Sequence, residues 1–185
     1  YTLDSWVQDL DYNAEKIPAS RTVIVIPSLN PDGFASSTRK NSRGVDLNRN
    51  FPAYDWKSDV KMPNGEFAVG GGGATALSEP ESQALSSFVL SQRPDLILSY
   101  HSVASIVSAN GAGNSGILTG LYSQLSGYRN LPESASSAVF QYDTTGAFET
   151  WLQDKVGIPA ILIELSSHTK NEFTRNKSAM WRMLQ

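Results

Sequence analysis

Two short apolar runs, each followed by an ionisable residue, constrain the fold of this chain more than any other feature. Residues 96–100 lead into His101, and residues 160–163 lead into Glu164. Runs of this length and apolar content are typical of strands buried on both faces of a parallel sheet. A carboxylate at the end of such a run is costly to desolvate unless a charge or a metal ion compensates it. Because open α/β sheets bind ligands at the carboxyl ends of their strands, both ionisable residues are candidate site residues.

Helical patterns alternate with the apolar runs. The apolar residues within 2–10 recur at i, i+3, i+4 and i+7, as they do on one face of a helix. Strands that alternate with helices predict an α/β three-layer sandwich, with a mixed, mostly parallel sheet and helices on both faces. We predict buried strands over residues 22–27 and 158–164, and helices over residues 2–10, 78–93 with Ser78 as N-cap, from 117 onward, 146–156 and 172–183.

Length and composition fit one globular domain, predicted to span residues 1–185. The chain is 40% hydrophobic and 18% charged, and its net charge of -3 offers no basic field for nucleic acid. No apolar run approaches the roughly 20 residues of a membrane span, so neither nucleic acid nor a membrane is an expected partner. Cysteine is absent, which leaves His, Asp and Glu as metal ligands.

The segment from residue 30 to residue 51 concentrates the chemistry of anion binding. It reads N-P-D-G-F-A-S-S-T-R-K-N-S-R-G-V-D-L-N-R-N-F and follows the apolar run 22–27, so we predict a long loop at a strand end. Arg49 beside Asn48 is suited to gripping a carboxylate, because a guanidinium makes two parallel hydrogen bonds to it. A solvated surface loop is the alternative interpretation, since Asn, Asp and Gly form turns for local reasons.

The motifs N-P-D-G and G-V-D-L-N-R-N-F resemble the zinc carboxypeptidase family, which contains the pancreatic carboxypeptidases and bacterial enzymes that trim peptidoglycan peptides. The resemblance covers most of residues 22–181, and it implies a carboxypeptidase-like fold and zinc as the cofactor. It also implies that Arg39 polarises the scissile carbonyl and that Asn48 and Arg49 anchor the C-terminal carboxylate of the substrate. Asp46 matches the acid that orients a zinc-binding histidine.

The same resemblance assigns roles in the second half of the chain. His101, within S-Y-H-S, is a zinc ligand, and Glu164 is the general acid/base. Tyr142, which precedes Glu164 by 22 residues, caps the substrate. Glu149 falls where the family sets its preference for the departing residue, so a buried acid there implies Lys, Arg or diaminopimelate ends. Considered singly, each has a plainer interpretation: a satisfied histidine, a strand-end glutamate, a half-buried loop tyrosine and a solvated helix residue.

The zinc site of the family needs two histidines and a glutamate, two of which come as H-x-x-E. The histidines of this chain are His101 and His168, and H-x-x-E does not occur in it. We predict that the chain is incomplete at its N-terminus, and that a segment before Tyr1 carries the missing ligands and strands. A separate piece that supplies them, or a metal-free relative, is the alternative. His168 lies in a polar turn and is interpreted as a bystander.

Three functions are compatible with these patterns. The first is a zinc carboxypeptidase that acts on a peptide or peptidoglycan peptide, with a preference for basic or diaminopimelate-like ends. The second is a peptidoglycan-peptide amidase of the same family, since the sequence of residues 78–84 is similar to that of such amidases. The third, from another class, is a non-catalytic module that binds a peptide carboxylate without a functional metal site. The compartment is open, with a secreted or periplasmic protein preferred over a cytoplasmic one.

Overall fold

The computed structural model describes residues 2–131 and 142–185, in which helices and strands alternate. No helix in these ranges is long and apolar enough to cross a membrane. The strands are Val60–Lys61 (β1), Phe67–Ala68 (β2), Ile97–Ser102 (β3), Ile106–Ala109 (β4), Arg129–Leu131 (β5) and Ala160–Leu165 (β6). The helices are Thr2–Tyr12 (α1), Pro31–Ser36 (α2), Pro80–Gln92 (α3), Ser115–Ser126 (α4), Phe148–Trp151 (α5) and Phe173–Arg182 (α6). Helix α5 continues as a π-turn over Leu152–Val156. Two 3₁₀ turns lie at Ala14–Lys16 and Leu47–Arg49.

A four-stranded sheet forms the centre of the fold, in the order β3-β6-β4-β5. The β3–β6 and β4–β5 pairs are parallel, whereas β4 and β6 are antiparallel. The sheet is therefore mixed and mostly parallel, as predicted. A separate antiparallel hairpin of β1 and β2 lies outside it.

Helices cover both faces of the sheet because successive side chains of β6 point to opposite faces. Ala160 packs in a cluster with Phe51 and with Trp151 of α5. Ile161 and Ile163 pack on the other face, in a cluster with side chains of α4 and α6. Helix α1 lies against α6, where the rings of Trp6 and Trp181 meet edge to face at 5.2 Å. The predicted three-layer α/β architecture is confirmed.

Residues 22–27 form no strand, so the prediction of a buried strand there is wrong. Val23 and Val25 pack beside α1 and α6, whereas Ile24 and Ile26 are 51% and 44% exposed. β-branched content favours an extended chain, but a strand also needs a neighbour that pairs with its N–H and C=O groups. No ladder in the described ranges includes this segment, and β3 pairs only with β6 there.

The predicted long loop after residue 27 begins instead with a helix. The Asn30 side chain accepts a hydrogen bond from the Gly33 amide at 2.9 Å, and Pro31 takes the first helical position. Both are preferred helix-start residues at these positions. The motif N-P-D-G therefore starts α2.

The predicted helices correspond to α1 and to α3–α6, and each predicted end lies within a few residues of the observed one. The predicted N-cap of α3 is wrong, because Glu79 and not Ser78 precedes its first turn. The Ser78 hydroxyl instead donates to the Glu79 carboxylate at 2.7 Å. The polar side chain is engaged locally and does not reach the helix amides.

Candidate functional site

His101 and Glu164 lie side by side because β3 and β6 run parallel with these two residues in register. Ser99, two residues earlier on the same face of β3, places its hydroxyl 3.1 Å from His101 Nε2. Glu164 is 6% exposed, and its Oε2 atom is buried without a hydrogen bond. The register of two strands thus brings an imidazole next to an unpartnered carboxylate oxygen.

Glu149 of helix α5 reaches the same imidazole. Its Oε1 atom lies 2.9 Å from His101 Nε2, while its Oε2 atom is buried without a partner. Burial raises the pKa of Glu149, but the charge of His101 and hydrogen bonds from His101 and Ser99 together lower that pKa to about 2. Burial lowers the pKa of His101, but the carboxylates of Glu149 and Glu164 together more than offset this, so the pKa is raised. The two groups form an ion pair within the chain.

The carboxyl of Glu164 is held at a raised pKa. Burial is the main cause and the neighbouring Glu149 adds to it, whereas His101 and Arg39 act in the opposite direction. A carboxyl with a raised pKa is better matched to exchanging a proton near neutral pH. This property fits the acid/base role that the sequence resemblance implies.

Arg39 is oriented by Asp46, which lies seven residues later at the start of the 3₁₀ turn. Arg39 Nε donates to Asp46 Oδ2 at 2.6 Å, and Asp46 Oδ1 accepts from the Asn48 amide at 3.1 Å. Burial lowers the pKa of Arg39, but its pairing with Asp46 raises that pKa by more. The role predicted for Asp46 towards a zinc-binding histidine stays a prediction, because Asp46 engages Arg39 here.

Arg49 is a buried cation, at 3% exposure. Its guanidinium donates to the Asn48 carbonyl and lies 5.7 Å from the centre of the Tyr142 ring. Burial lowers the pKa of Arg49, only partly offset by the charge of Asp46, but an arginine still stays charged in a protein. No ion pair joins Arg49 to a carboxylate within the described part of the chain. No carboxylate among these residues therefore neutralises its charge.

The arginine turn is the 3₁₀ turn Leu47–Arg49, which carries Arg49. Hydrogen bonds of Asn48 and Gly146 connect it to helix α5. Asn48 Oδ1 accepts from the Phe148 amide at 2.8 Å, and the Phe51 amide donates to the Gly146 carbonyl at 3.0 Å. A Cβ atom on Gly146 would lie 2.5 Å from the Arg49 carbonyl oxygen, at a φ of +65°. Only glycine accepts both the contact and this backbone conformation. The turn and the segment that bears Tyr142 and Glu149 are consequently packed together.

Tyr142 is half-buried at the edge of the site. Burial raises the pKa of its hydroxyl, and the charges of Arg39 and Arg49 oppose this without cancelling it. The hydroxyl therefore stays protonated at neutral pH and can donate a hydrogen bond. This placement suits the predicted contact with a substrate.

The described residues do not by themselves form a zinc site. His101 is one imidazole, and no group of three or more His, Cys, Asp or Glu side chains in residues 2–131 and 142–185 could hold a metal ion. His168 contacts Ser102 Oγ through Nδ1 at 2.8 Å. Ser102 is the residue after His101 on β3, so His168 does not contact His101 itself through this bond. These residues thus offer one of the three predicted zinc ligands.

Two residues that contact the predicted segments, Ser99 and Asp143, were not predicted from the sequence. Ser99 was recognisable in principle, because alternation along a strand places residues 99 and 101 on one face. Asp143 binds the backbone of Lys61, which is 82 residues away in the chain. No local pattern signals a contact of that kind.

Comparison with known proteins identifies the family to which this sequence belongs. Residues 1–115 match the sequence model of the zinc carboxypeptidase peptidases. The chain belongs to the zinc carboxypeptidase family. This is a family of zinc-dependent hydrolases, so the resemblance found in the sequence is confirmed.

Among its relatives are murein peptide amidases. The chain is 32% identical over 155 residues to murein peptide amidase A of Vibrio campbellii, in an alignment that covers 76% of this chain and 55% of that protein. The enzyme of the same name from Escherichia coli K12 is 31% identical over 143 residues, with 74% and 55% covered. The chain therefore spans about half the length of the curated relatives it matches.

Solved structures share the fold. The crystal structure of a murein-tripeptide amidase from Escherichia coli O157 superposes with a TM-score of 0.64 and 28% identity, covering 84% of this chain and 65% of that one. Carboxypeptidase A from Helicoverpa armigera gives 0.68 at 18% identity, covering 99% and 57%. The second match supports the fold alone, and together the two confirm the predicted carboxypeptidase-like architecture.

Proposed function

We propose that the full-length protein hydrolyses an amide bond next to a free C-terminal carboxylate in a peptide or murein peptide. The observation that carries this proposal is the position of Arg49, a buried cation that pairs with no carboxylate in residues 2–131 and 142–185, in a turn packed against the segment that leads to Glu149. Glu149 in turn contacts the in-register pair of His101 and Glu164. A carboxylate-binding group and an acid/base group are thus linked through one connected set of contacts.

Each residue has a task that follows from its contacts. Arg49, together with Asn48, binds the terminal carboxylate through charge-assisted hydrogen bonds. Arg39, held by Asp46, donates towards the scissile carbonyl oxygen as negative charge develops there. Glu164 takes a proton from the attacking water and returns it to the leaving amine.

Zinc in a hydrolase of this kind supplies a bound water of lowered pKa. We assign His101 as one of its ligands. The remaining ligands are proposed to lie outside these 185 residues, because the chain contains no second histidine at the site and no H-x-x-E motif.

The amidase is favoured over a general carboxypeptidase by Glu149. Its Oε2 atom is buried without a hydrogen bond, and we propose that a cationic group on the departing residue compensates it. The ammonium group of a lysine or of diaminopimelate has this chemistry. The relatives named murein peptide amidase A point the same way.

The decisive experiment compares one peptide with a free C-terminus against the same peptide with an amidated C-terminus, using the full-length, zinc-loaded protein. We expect about one zinc per chain, cleavage of the free form only, and loss of activity with a chelator. Arg49→Ala should weaken binding of the free form by about 100-fold, because a desolvated charge pair is removed. Arg43→Ala, with a side chain 63% exposed, is the matched control and should change little.

Three results separate the alternatives. Binding of the free peptide without turnover in the zinc-loaded protein would establish the non-catalytic module instead. Equal cleavage of the amidated peptide would remove the carboxylate anchor from the proposal. Faster cleavage of a diaminopimelate-ended murein tripeptide than of a Leu-ended peptide would support the amidase.

A further inference from the structure

Strand β1 of the hairpin has an outer edge, whose backbone N–H and C=O groups point away from β2. Val60 pairs with Ala68 and Lys61 with Phe67, while the Met62 amide donates to the Glu66 carbonyl at 2.8 Å. In an antiparallel ladder the residue between two hydrogen-bonded pairs directs its own N–H and C=O groups outward. The outward groups of Lys61 therefore need a partner from elsewhere in the chain.

Asp143 partners both groups. The Lys61 amide donates to Asp143 Oδ2 at 2.8 Å, and the Asp143 amide donates to the Lys61 carbonyl at 3.1 Å. Asp143 thus occupies the place of a third strand, with its side-chain carboxylate in the role of a backbone carbonyl. The residue immediately before it is Tyr142.

The Tyr142 segment is also held at its other end. The Gly146 amide donates to Asp55 Oδ1 at 2.9 Å, and the Gly146 carbonyl accepts from Phe51. Residues 142–146 are therefore tied to the hairpin on one side and to the arginine turn on the other. These attachments fix the backbone directly after Tyr142 and so restrict the positions that the tyrosine ring can take.

The turn of the hairpin, residues 62–66, lines one side of an open cleft. This cleft has a volume of about 590 Å³ and lies between residues 62–66 and residues 38–44, which include Arg39. The hairpin therefore lines the cleft that includes Arg39 through its turn, and it holds Asp143 through Lys61.

We infer that Asp143 is a positioning residue, which holds Tyr142 over the candidate site by pairing with the outer edge of strand β1 of the hairpin. The inference rests on the proposed function only for the effect on catalysis. The pairing itself is a property of the folded chain. A carboxylate suits the task because it accepts the Lys61 amide through a charge-assisted hydrogen bond while its own backbone amide stays free to donate.

The test uses the full-length, zinc-loaded protein with two substitutions at one position. Asp143→Ala removes the acceptor for the Lys61 amide, whereas Asp143→Asn keeps a side-chain oxygen there. We expect Asp143→Ala to raise KM about tenfold with kcat changed less than about threefold, since one charge-assisted hydrogen bond is lost and the acid/base group is untouched. Asp143→Asn should restore KM to within about threefold of the unmodified protein.

Asp59→Ala is the matched control. Asp59 Oδ1 accepts from the Gly70 amide at 2.8 Å, a comparable bond at the base of the same hairpin that does not involve the Tyr142 segment. If Asp59→Ala raises KM as much as Asp143→Ala, the hairpin acts through its general stability and the inference is overturned.

Two measurements report on the pairing without any catalysis. Hydrogen exchange of the Lys61 amide should speed up about tenfold in Asp143→Ala, and nitration of Tyr142 should become faster, as mass spectrometry of the modified peptide would show. Unchanged exchange and nitration would refute the positioning role even in an active enzyme. If the protein does not hydrolyse peptides at all, the proposed function fails, and these two rates still decide the role of Asp143.

Discussion

Tyr100 and His101 are neighbours on β3, yet they face two different regions. The buried polar groups around Tyr100 are hydrogen-bonded to one another, whereas two carboxylate oxygens near His101 have no hydrogen bond. Behind the sheet, the Tyr100 hydroxyl lies 2.7 Å from the Tyr122 hydroxyl, which donates to Asn176 Oδ1 at 2.6 Å. The Asn176 amide donates to the Tyr128 hydroxyl at 3.1 Å, and that hydroxyl donates to Glu172 at 2.6 Å. On the His101 side, the Oε2 atoms of Glu149 and Glu164 are buried without partners.

The difference separates stability from function. Native proteins satisfy nearly all of their buried polar atoms, so the network behind the sheet is what folding alone favours. An unpartnered buried carboxylate oxygen costs free energy, and it persists where a ligand is to be bound. The comparison therefore predicts that substitutions on the two faces of β3 change different properties.

The largest expected effect is on the rate of hydrolysis when Glu164 is changed. Glu164→Gln should lower kcat of the full-length, zinc-loaded protein by about 1,000-fold, because the proton acceptor is lost. The free energy of unfolding should not fall, since the removed oxygen has no hydrogen bond to lose and burial disfavours the charge that is removed. Steady-state kinetics and urea unfolding measure the two quantities. Robust turnover in this variant would remove Glu164 from the acid/base role.

The network behind the sheet should respond in the opposite way. Asn176→Ala removes three buried side-chain hydrogen bonds, to the Tyr122 hydroxyl, the Tyr128 hydroxyl and the Glu172 carbonyl, so we expect about 2–4 kcal/mol of destabilisation in urea unfolding. The kcat of the molecules that remain folded should be nearly unchanged. Lys170→Ala, at an exposed position, is the control for stability. A large fall in kcat without destabilisation would break the separation between the two faces.

A smaller effect is expected for substrate preference when Glu149 is changed. Glu149→Gln keeps the size of the side chain and removes the charge, so kcat/KM for a Lys-ended peptide should fall about tenfold relative to a Leu-ended peptide. The ratio of the two kcat/KM values is the measurement. An unchanged ratio would show that Glu149 serves the chain only as the partner of His101.

The smallest effect concerns the pH dependence of stability at Glu172. Burial raises the pKa of this carboxyl, but hydrogen bonds from Tyr128 and Ser166 lower it by more, to below its ordinary value of 4.5. A lowered folded-state pKa stabilises the fold above pH 4.5, and this contribution is lost as the pH falls through the folded-state value. The difference in Tm between the unmodified protein and Glu172→Gln should therefore shrink between pH 7 and pH 3. A constant difference would mean that Glu172 acts through packing.

Much of the fold was predictable because local patterns carry it. The apolar runs at residues 96–100 and 160–163 became β3 and β6, and the helix patterns became α1 and α3–α6. The run 22–27 failed for a physical reason, since β-branched residues favour an extended backbone without supplying the neighbour that makes it a strand. The start of α2 was missed because Asn-Pro is compatible with a turn as well as with an N-cap.

The candidate site divides in the same way. Arg39, Asn48, Arg49, His101, Tyr142, Glu149 and Glu164 were named from motifs, and the roles implied for them stay predictions. The contacts that organise them were not accessible from motifs. Arg39 with Asp46, Asn48 with the Phe148 amide, and Asp143 with Lys61 depend on where the chain returns in space.

By itself, the sequence determined the chemical types at the site and the strands that carry two of them, because period-two alternation and motif spacing are local properties. Only the tertiary structure decided which groups share a contact. Parallel pairing in one register set His101 beside Glu164, and the close approach allowed by Gly146 set the arginine turn against α5. Register and close approach are long-range choices, fixed by packing and hydrogen bonding between segments that the order of residues along the chain does not specify.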